Sequence, residues 1–491
     1  MAGTTAEARI QGGETHSYRL SLKADQYAGL VVDQRGADVA VTLHDPEGRL
    51  LASVDSLQGA RVPEQVPVIA TAAGTYRVEV SVSEREGSYA VRIDALRPAT
   101  REDRTRVRAE RLLSQAEKLQ SRDDRSSRET AAARAREAAG LFADPSRAAD
   151  AFYALGNALY LLDDNAGAQE AYGRALALFR ETGRERETGK ALNGLGRSWR
   201  QEEPGRALAL YREALALYRR LGERQQEATS LQNLGRIHHS LGETEEALVH
   251  YERALAIWRE LGVRSQEAGT LLSLGDLYQS LGEPRKALDL LPRAIALFEA
   301  EGSSGDAASA LTTLGDAQFR AGRIREALAS HTRALAIHRR NGNRREEALA
   351  LNSIGCCHLL LGRPGEARRS LAEARSIFRR IGDRSSEAVA LVNLGLADEQ
   401  NPRQAIAAFS AAMPALISRD YEALALLGLA RAHRRLGDLA SARKEAEAAI
   451  ERIESLRGKS AGLGMRASFL ASRQDFYSFY VDLLMDLHHR E

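Results

Sequence analysis

The stretch IGCCHLLLG, residues 354–362, sets Cys356 and Cys357 beside His358, and the 491-residue chain has no other cysteine. A thiolate next to an imidazole is the material of a metal site or of a cysteine nucleophile. On a helix, however, adjacent side chains point about 100° apart, so they cannot grip one ion or share one proton. Neighbouring cysteines also rarely pair, because the geometry is strained, and two make no disulfide framework. GLGMRA, at Gly462–Ala467, has the spacing of a dinucleotide-binding loop. It follows the helical AIERIESLRGKS rather than a strand and therefore reads as an interhelical loop. His488 and His489 are neighbours, whereas a helical metal pair needs i, i+4 spacing. The expectation is a chain with no catalytic residues, no metal site and no cofactor of its own.

Charge offers no bulk attraction to nucleic acid or an anionic membrane, since 69 basic residues face 67 acidic ones. No run of about 18 apolar residues suggests a membrane span. Residues 1–15 lack the basic start and apolar core of a signal peptide. The chain as written thus reads as cytoplasmic, or as exported if a leader precedes Met1. Hydrophobic residues make up 44% but aromatics only 5%, an Ala- and Leu-rich balance that favours helices.

Two kinds of element must position these residues. Over residues 6–97 apolar residues alternate with polar ones, as in Tyr18, Leu20 and Leu22, then Val39, Val41 and Leu43, then Tyr76, Val78, Val80 and Val82. Period two broken by Gly, Asp and Pro turns predicts about seven or eight antiparallel strands and a small β-sandwich over 1–97. Asp45 falls in one of those turns and is read as a turn residue, not a calcium ligand. Pro98 closes this region, residues 98–102 read as a linker, and from Asp103 the period is helical.

The helical part repeats itself. Leu231, Leu271, Leu311, Leu351 and Leu391 stand forty residues apart, and so do Gly235, Gly275, Gly315, Gly355 and Gly395. A second Gly follows seven residues on, at Gly242, Gly282, Gly322 and Gly362, and small residues recur at Ala247 and Ala254 and their counterparts. A Gly inside a helix costs about 1 kcal/mol, so close contact with a neighbouring helix must require it. The second Gly ends the helix, and hairpins that cannot bury their own apolar faces must stack.

LGRIHHSLGETEEALVHYERALAI resembles the tetratricopeptide repeat in a forty-residue form, departing from it where a Pro usually closes the second helix. The fold class implied is a small all-β sandwich followed by an all-α tetratricopeptide-repeat solenoid, a right-handed superhelix. About eight or nine helical pairs are expected over 103–457. In that family the first helices line a concave surface that holds peptides or partner proteins. Carried over by register, the groove candidates are Asn193, Arg197, Arg200, Gln232, Arg236, His239, Asp276, Gln279, Thr312, Asp316, Phe319, Asn352, Cys356, Leu359, Val392 and Leu396. The face would run from basic through acidic to mostly apolar. It would dock a segment with acidic residues toward the N-terminal copies and apolar anchors toward the C-terminal ones. In the same register Cys357 matches Ile237 and Leu277, a packing position, while Cys356 matches Arg236 and Asp276.

Residues 458–491 differ from everything before them. Phe469, Phe476, Tyr480, Leu483, Leu484 and Leu487 form one stripe at helical spacing, with Tyr477 adjacent. The stripe either caps the last repeat or docks to another domain. The order of β-sandwich, RTRVRAERLLSQAEKL, repeats and IESLRGK…RASFLASRQDFYSFYVDLLMDLH is similar to the front part of bacterial CHAT proteins, whose caspase-like peptidase domain follows the repeats. The β-domain likewise resembles the pre-peptidase C-terminal type. This resemblance implies a non-catalytic interaction scaffold, the recognition half of a CHAT-type system acting in cis or in trans. Any peptidase activity would then lie beyond residue 491. A stand-alone adaptor or peptide sensor is the alternative, and an enzyme using Cys356, Cys357 and His358 is a third reading, which requires a depressed thiol pKa.

Overall fold

The computed structural model describes residues 5–35, 39–54, 63–82, 86–122, 124–457 and 474–488. They divide into two compact units, Met1–Ile257 and Trp258–Glu491.

The first unit opens with β1 (Thr5–Ile10), β2 (Thr15–Leu22), β3 (Gln26–Arg35), β4 (Val39–His44), β5 (Leu50–Val54), β6 (Glu64–Ile69), β7 (Gly74–Val82) and β8 (Gly87–Pro98). They form two four-stranded antiparallel sheets, ordered β1-β8-β3-β6 and β2-β7-β4-β5. Alternation explains the layering. Tyr76, Val78 and Val80 of β7 turn inward with Val41 and Leu43 and meet Val32, Val66 and Tyr89 of the other sheet. Asp45 is a turn residue: its carboxylate accepts the backbone N–H of Arg49 at 2.8 Å and the Arg49 Nε–H at 2.6 Å.

The helix α1 (Arg101–Gln120) begins almost where β8 ends. Thr100 caps it, accepting the Asp103 N–H at 3.1 Å while the Asp103 carboxylate accepts the Thr100 N–H at 2.8 Å. Asp103 also pairs with Arg97, which stacks 4.9 Å from the centre of the Tyr27 ring. The Arg97 hydrogen bond, reinforced by those from Thr100, holds the Asp103 carboxyl down to about 2. Residues 98–102, read above as a linker, are therefore taken up by the strand end and the helix cap.

Helices then alternate: α2 (Arg125–Leu141), α3 (Pro145–Leu161), α4 (Asn165–Glu181), α5 (Glu185–Trp199), α6 (Pro204–Leu221), α7 (Arg224–Leu241) and α8 (Thr244–Leu261). The helical Gly is explained by its partner. A Cβ on Gly235 of α7 would lie 2.7 Å from the Tyr251 ring of α8, and Tyr172 and Tyr211 fill the same slot against Gly156 and Gly196. The repeated alanines, among them Ala247 and Ala254, are fully buried where the two helices touch. Gly242 closes α7 at φ +78°, a left-handed position that a Cβ disfavours.

The second unit continues the pattern with α9 (Arg264–Ser280), α10 (Pro284–Ala300), α11 (Ser304–Arg320), α12 (Ile324–Asn341), α13 (Arg344–Leu360), α14 (Pro364–Ile381), α15 (Arg384–Ala397), α16 (Pro402–Ala412), α17 (Arg419–Leu436) and α18 (Leu439–Arg457). Among the described residues, α1–α18 make nine consecutive pairs. Here Leu291, His331, Leu371 and Phe409 face Gly275, Gly315, Gly355 and Gly395.

A feature the sequence reading missed joins the pairs. A buried Glu near the start of a first helix is held by an Arg eight residues before it. Arg219 Nε meets Glu227 at 3.0 Å in the first unit. In the second, Arg259 meets Glu267 and Arg339 meets Glu347, each at 3.0 Å. Arg379 clasps the half-buried Glu387 in the same way at 2.8 Å.

The last helix, α19 (Gln474–His488), packs on the pair α17–α18. Phe476, Phe479 and Leu483 are buried with Leu427, Leu439 and Ile453, while Tyr480 and Leu487 lie at the margin of this cluster. Phe479 belongs to the packed stripe although the register reading omitted it, and Leu484 lies outside it, exposed beside Val481 and Met485. Tyr477 is half-buried and bonds Glu454. Phe469, the GLGMRA stretch and His489 lie outside the described residues.

Candidate functional site

Each unit presents first-helix side chains that register had marked. In the first unit they build an arginine–tyrosine network. The Arg197 guanidinium of α5 sits 4.0 Å from the centre of the Tyr160 ring and donates to the Tyr172 hydroxyl at 3.0 Å. That hydroxyl in turn donates to Asn157 Oδ1 at 2.7 Å. Asn193 bonds Ser230 at 3.0 Å, and Gln232 is buried. Arg200 and His239 are half-buried and Arg236 is exposed. Arg197 and Asn193 are engaged within the fold, so Arg236 is the most accessible of the set.

In the second unit α11, α13 and α17 surround a depression of about 730 Å³. From α11 come Asp316, Phe319 and Arg320, and from α13 come Asn352, Ser353 and Cys356. His331 of α12 and Tyr421 of α17 complete the wall. Four of these, Asp316, Phe319, Asn352 and Cys356, are register candidates. The space is large enough for a ligand or several side chains.

Its electrostatics follow from crowding. Protein surrounds Asp316 although half its side chain meets solvent, and desolvation pushes its carboxyl up to about 6, with nearby Asp276 adding to the shift and Arg320 opposing it. Burial pushes the His331 imidazole down to about 4, so it is neutral at pH 7, with Nε2 3.6 Å from Asp316 and Nδ1 buried without a hydrogen-bond partner. Desolvation raises the Cys356 thiol to about 12 and the Cys357 thiol to about 11. A nucleophilic cysteine needs the opposite shift. Cys357 is fully buried in its packing position, while Cys356 opens on the depression.

The remaining candidates divide. Asp276 accepts the Thr313 hydroxyl at 3.1 Å, and Gln279 donates to the Thr313 carbonyl at 3.1 Å. Thr312 turns its hydroxyl back to the Ala308 carbonyl at 3.0 Å. Leu359 and Leu396 are half-buried against core clusters. Val392 must be corrected: it has no exposed surface. Its pair's second helix, α16, has only 11 residues where α14 has 18, and α17 packs Ala425 and Leu429 over the expected groove position. The apolar end of the face is thus largely core.

His331 and Tyr421 were missed. Comparison of Tyr251, Leu291, His331 and Leu371 at forty-residue spacing would have singled out His331 as a polar residue in an apolar slot. Tyr421 lies beyond the shortened pair, where that register no longer holds.

The family described as Tetratricopeptide repeat matches residues 147–220, 198–260, 226–300, 266–340 and 306–380. Residues 147–380 are tetratricopeptide repeats. The chain is similar in structure to the apo form of RapI, with a TM-score of 0.54 and 14% identity over 72% of this chain and 99% of that one. At that identity the likeness shows the fold, a tetratricopeptide-type helical array. A Rap protein complexed with Competence and Sporulation Factor gives a TM-score of 0.43 and 16% identity over 62% of this chain and 87% of that one. Aspartyl phosphate phosphatase F from Bacillus subtilis gives 0.46 and 12% over 70% and 93%. Comparison with curated proteins gives no match. Among the described residues no three His, Cys, Asp or Glu side chains group as a metal site, and no helix is long and apolar enough to cross a membrane.

Proposed function

We propose that the protein is a non-catalytic scaffold that binds a peptide or a protein segment on the first-helix faces of its repeats. The observation that carries this reading is the depression in the second unit. Asp316 and Cys356 stand forty residues apart, occupy equivalent positions on successive first helices, and open on one space with Phe319 and Asn352. These positions are partly exposed and open on the depression, whereas Cys357 and its counterparts are fully buried in packing positions. The raised thiols speak against the enzymatic alternative.

Cys356 supplies the test. The full chain, with and without a bulky maleimide on Cys356, is panned against a synthetic random peptide library. The labelled protein should lose most peptides held by the unlabelled one, and equal capture would overturn the reading. In the same experiment Arg236→Glu should deplete acidic peptides if the first unit contributes the basic part of the surface.

The finer reading assigns the scaffold to a CHAT-type peptidase system. It is supported by the sequence resemblance and by Val481, Leu484 and Met485, which α19 leaves exposed. It fails if the chain and a CHAT domain sediment as separate species. The stand-alone adaptor is the reading that such separation favours.

A further inference from the structure

We propose that the depression in the second unit takes a cationic group, the ammonium or guanidinium of a peptide side chain or amino terminus, with Asp316 as its counter-charge and Phe319 and Tyr421 as its aromatic walls. This rests on the scaffold reading and narrows it to one ligand chemistry.

The carboxylates of this unit differ in their partners. Glu267, Glu347 and Glu387 stand near the starts of their first helices, and each is clasped by an arginine within 3.0 Å. Asp316 has no such partner. Among the described residues its one ion-pair contact is His331, whose imidazole is neutral at pH 7 and supplies no positive charge. The resulting cost is visible in a carboxyl pushed up to about 6, a cost that an incoming cation relieves.

The surroundings have the same sign. Asp276 of α9 adds to the upward shift of Asp316, which Arg320 opposes, and Asp420 and Asp316 both act on Tyr421 in the negative sense. An aromatic face adds attraction for a cation, and more of it the further the face is desolvated. The second, independent pointer is His331, buried to 1% exposure, with Nδ1 lacking a partner at the wall of the same space.

Cys356 opens on this space and Cys357 is buried, so the reactivity of one thiol reads the local potential. The full chain is treated with trimethylammonium-ethyl methanethiosulfonate and, separately, with sulfonatoethyl methanethiosulfonate, and the two rates at Cys356 are followed by mass. Their ratio, taken relative to a small free thiol, cancels the low thiolate fraction. The cationic reagent should be favoured by about tenfold or more. Asp316→Asn should bring the ratio close to the free-thiol value. Asn352→Asp should raise it; this change keeps the oxygen that accepts the Asn393 amide at 2.9 Å. A ratio that matches the free thiol and ignores both substitutions overturns the cation proposal and leaves peptide capture to be judged by panning. No reaction with either reagent closes the depression to solutes and overturns both.

A second arm uses a neutral methanethiosulfonate and asks for protection. The amide of Ala-Ala-Arg-Ala-Ala should protect Cys356 better than the same peptide with Gln for Arg. Protection by spermidine but not by the arginine peptide overturns the peptide source of the cation.

Discussion

Gly235 shows how a single residue serves the solenoid. Its missing side chain admits the Tyr251 ring, which would otherwise lie 2.7 Å from a Cβ. Ala is the better helix former by about 1 kcal/mol, yet here the clash with a buried ring outweighs that gain. Gly235→Ala is expected to destabilise the chain by roughly 1–3 kcal/mol in denaturant melts. Gly173 is the control: it lies mid-helix in α4 with nothing within 4 Å of its virtual Cβ. Gly173→Ala should stabilise by about 0.5–1 kcal/mol. A destabilisation at Gly173 equal to that at Gly235 would remove the packing explanation. The two glycines look alike in a propensity count, and only their place in the forty-residue register separates them. Register made Gly235, Asp316 and Cys356 legible because repeated residues share one environment. It failed at Val392, whose environment changes when the second helix of its pair shortens and α17 closes over it.

At the scale of elements, α19 presents two apolar faces with different fates. Leu483 is fully buried against α17 and α18, whereas Leu484, one residue on, is exposed. Leu483→Ala should therefore cost about 2–4 kcal/mol, while Leu484→Ala should stay within about 0.5 kcal/mol. The CHAT reading adds an asymmetry. Leu484→Asp would leave the melt unchanged but abolish association with a CHAT domain in sedimentation, whereas a capping role alone leaves no association to lose. The sequence pattern announced an amphipathic helix here but misplaced its edge. A stripe of six aromatics and leucines tolerates a rotation of one residue, and tertiary contacts such as Phe479 with Leu427 and Ile453 select the final face.

For the whole molecule, the carboxylates divide into two populations that titrate in opposite directions. Burial raises the pKa of Glu227 and Glu347, but the hydrogen bonds of Arg219 and Arg224, and of Arg344 and Arg339, outweigh it and leave both below the usual carboxylate range. Groups of this kind stabilise the fold above their unfolded value of about 4.3, and that contribution is lost as pH falls through the lower folded value. Asp316 behaves in reverse. Its folded value of about 6 lies above the unfolded one, so its ionisation opposes folding above pH 6 and is relieved as pH falls toward 4. The buried imidazole of His331 and the half-buried one of His250, both held down to about 4 against an unfolded value of about 6.5, cost stability over the same window as pH falls, so the Asp316 contribution is read as a difference. Relative to Asp316→Asn, the natural chain should gain something of order 1 kcal/mol from pH 7 to about 4.5, a half-exposed side chain being partly screened by solvent. Below that window the two proteins should lose stability in parallel as the clasps protonate. Glu347→Gln should lower stability at pH 7 by roughly 1–3 kcal/mol and shrink the acid limb. Denaturant melts across pH 3–8 measure both. A difference between the two proteins that stays constant from pH 7 to about 4.5 would show that Asp316 is not a group whose ionisation opposes folding, and would count against its waiting for a cation.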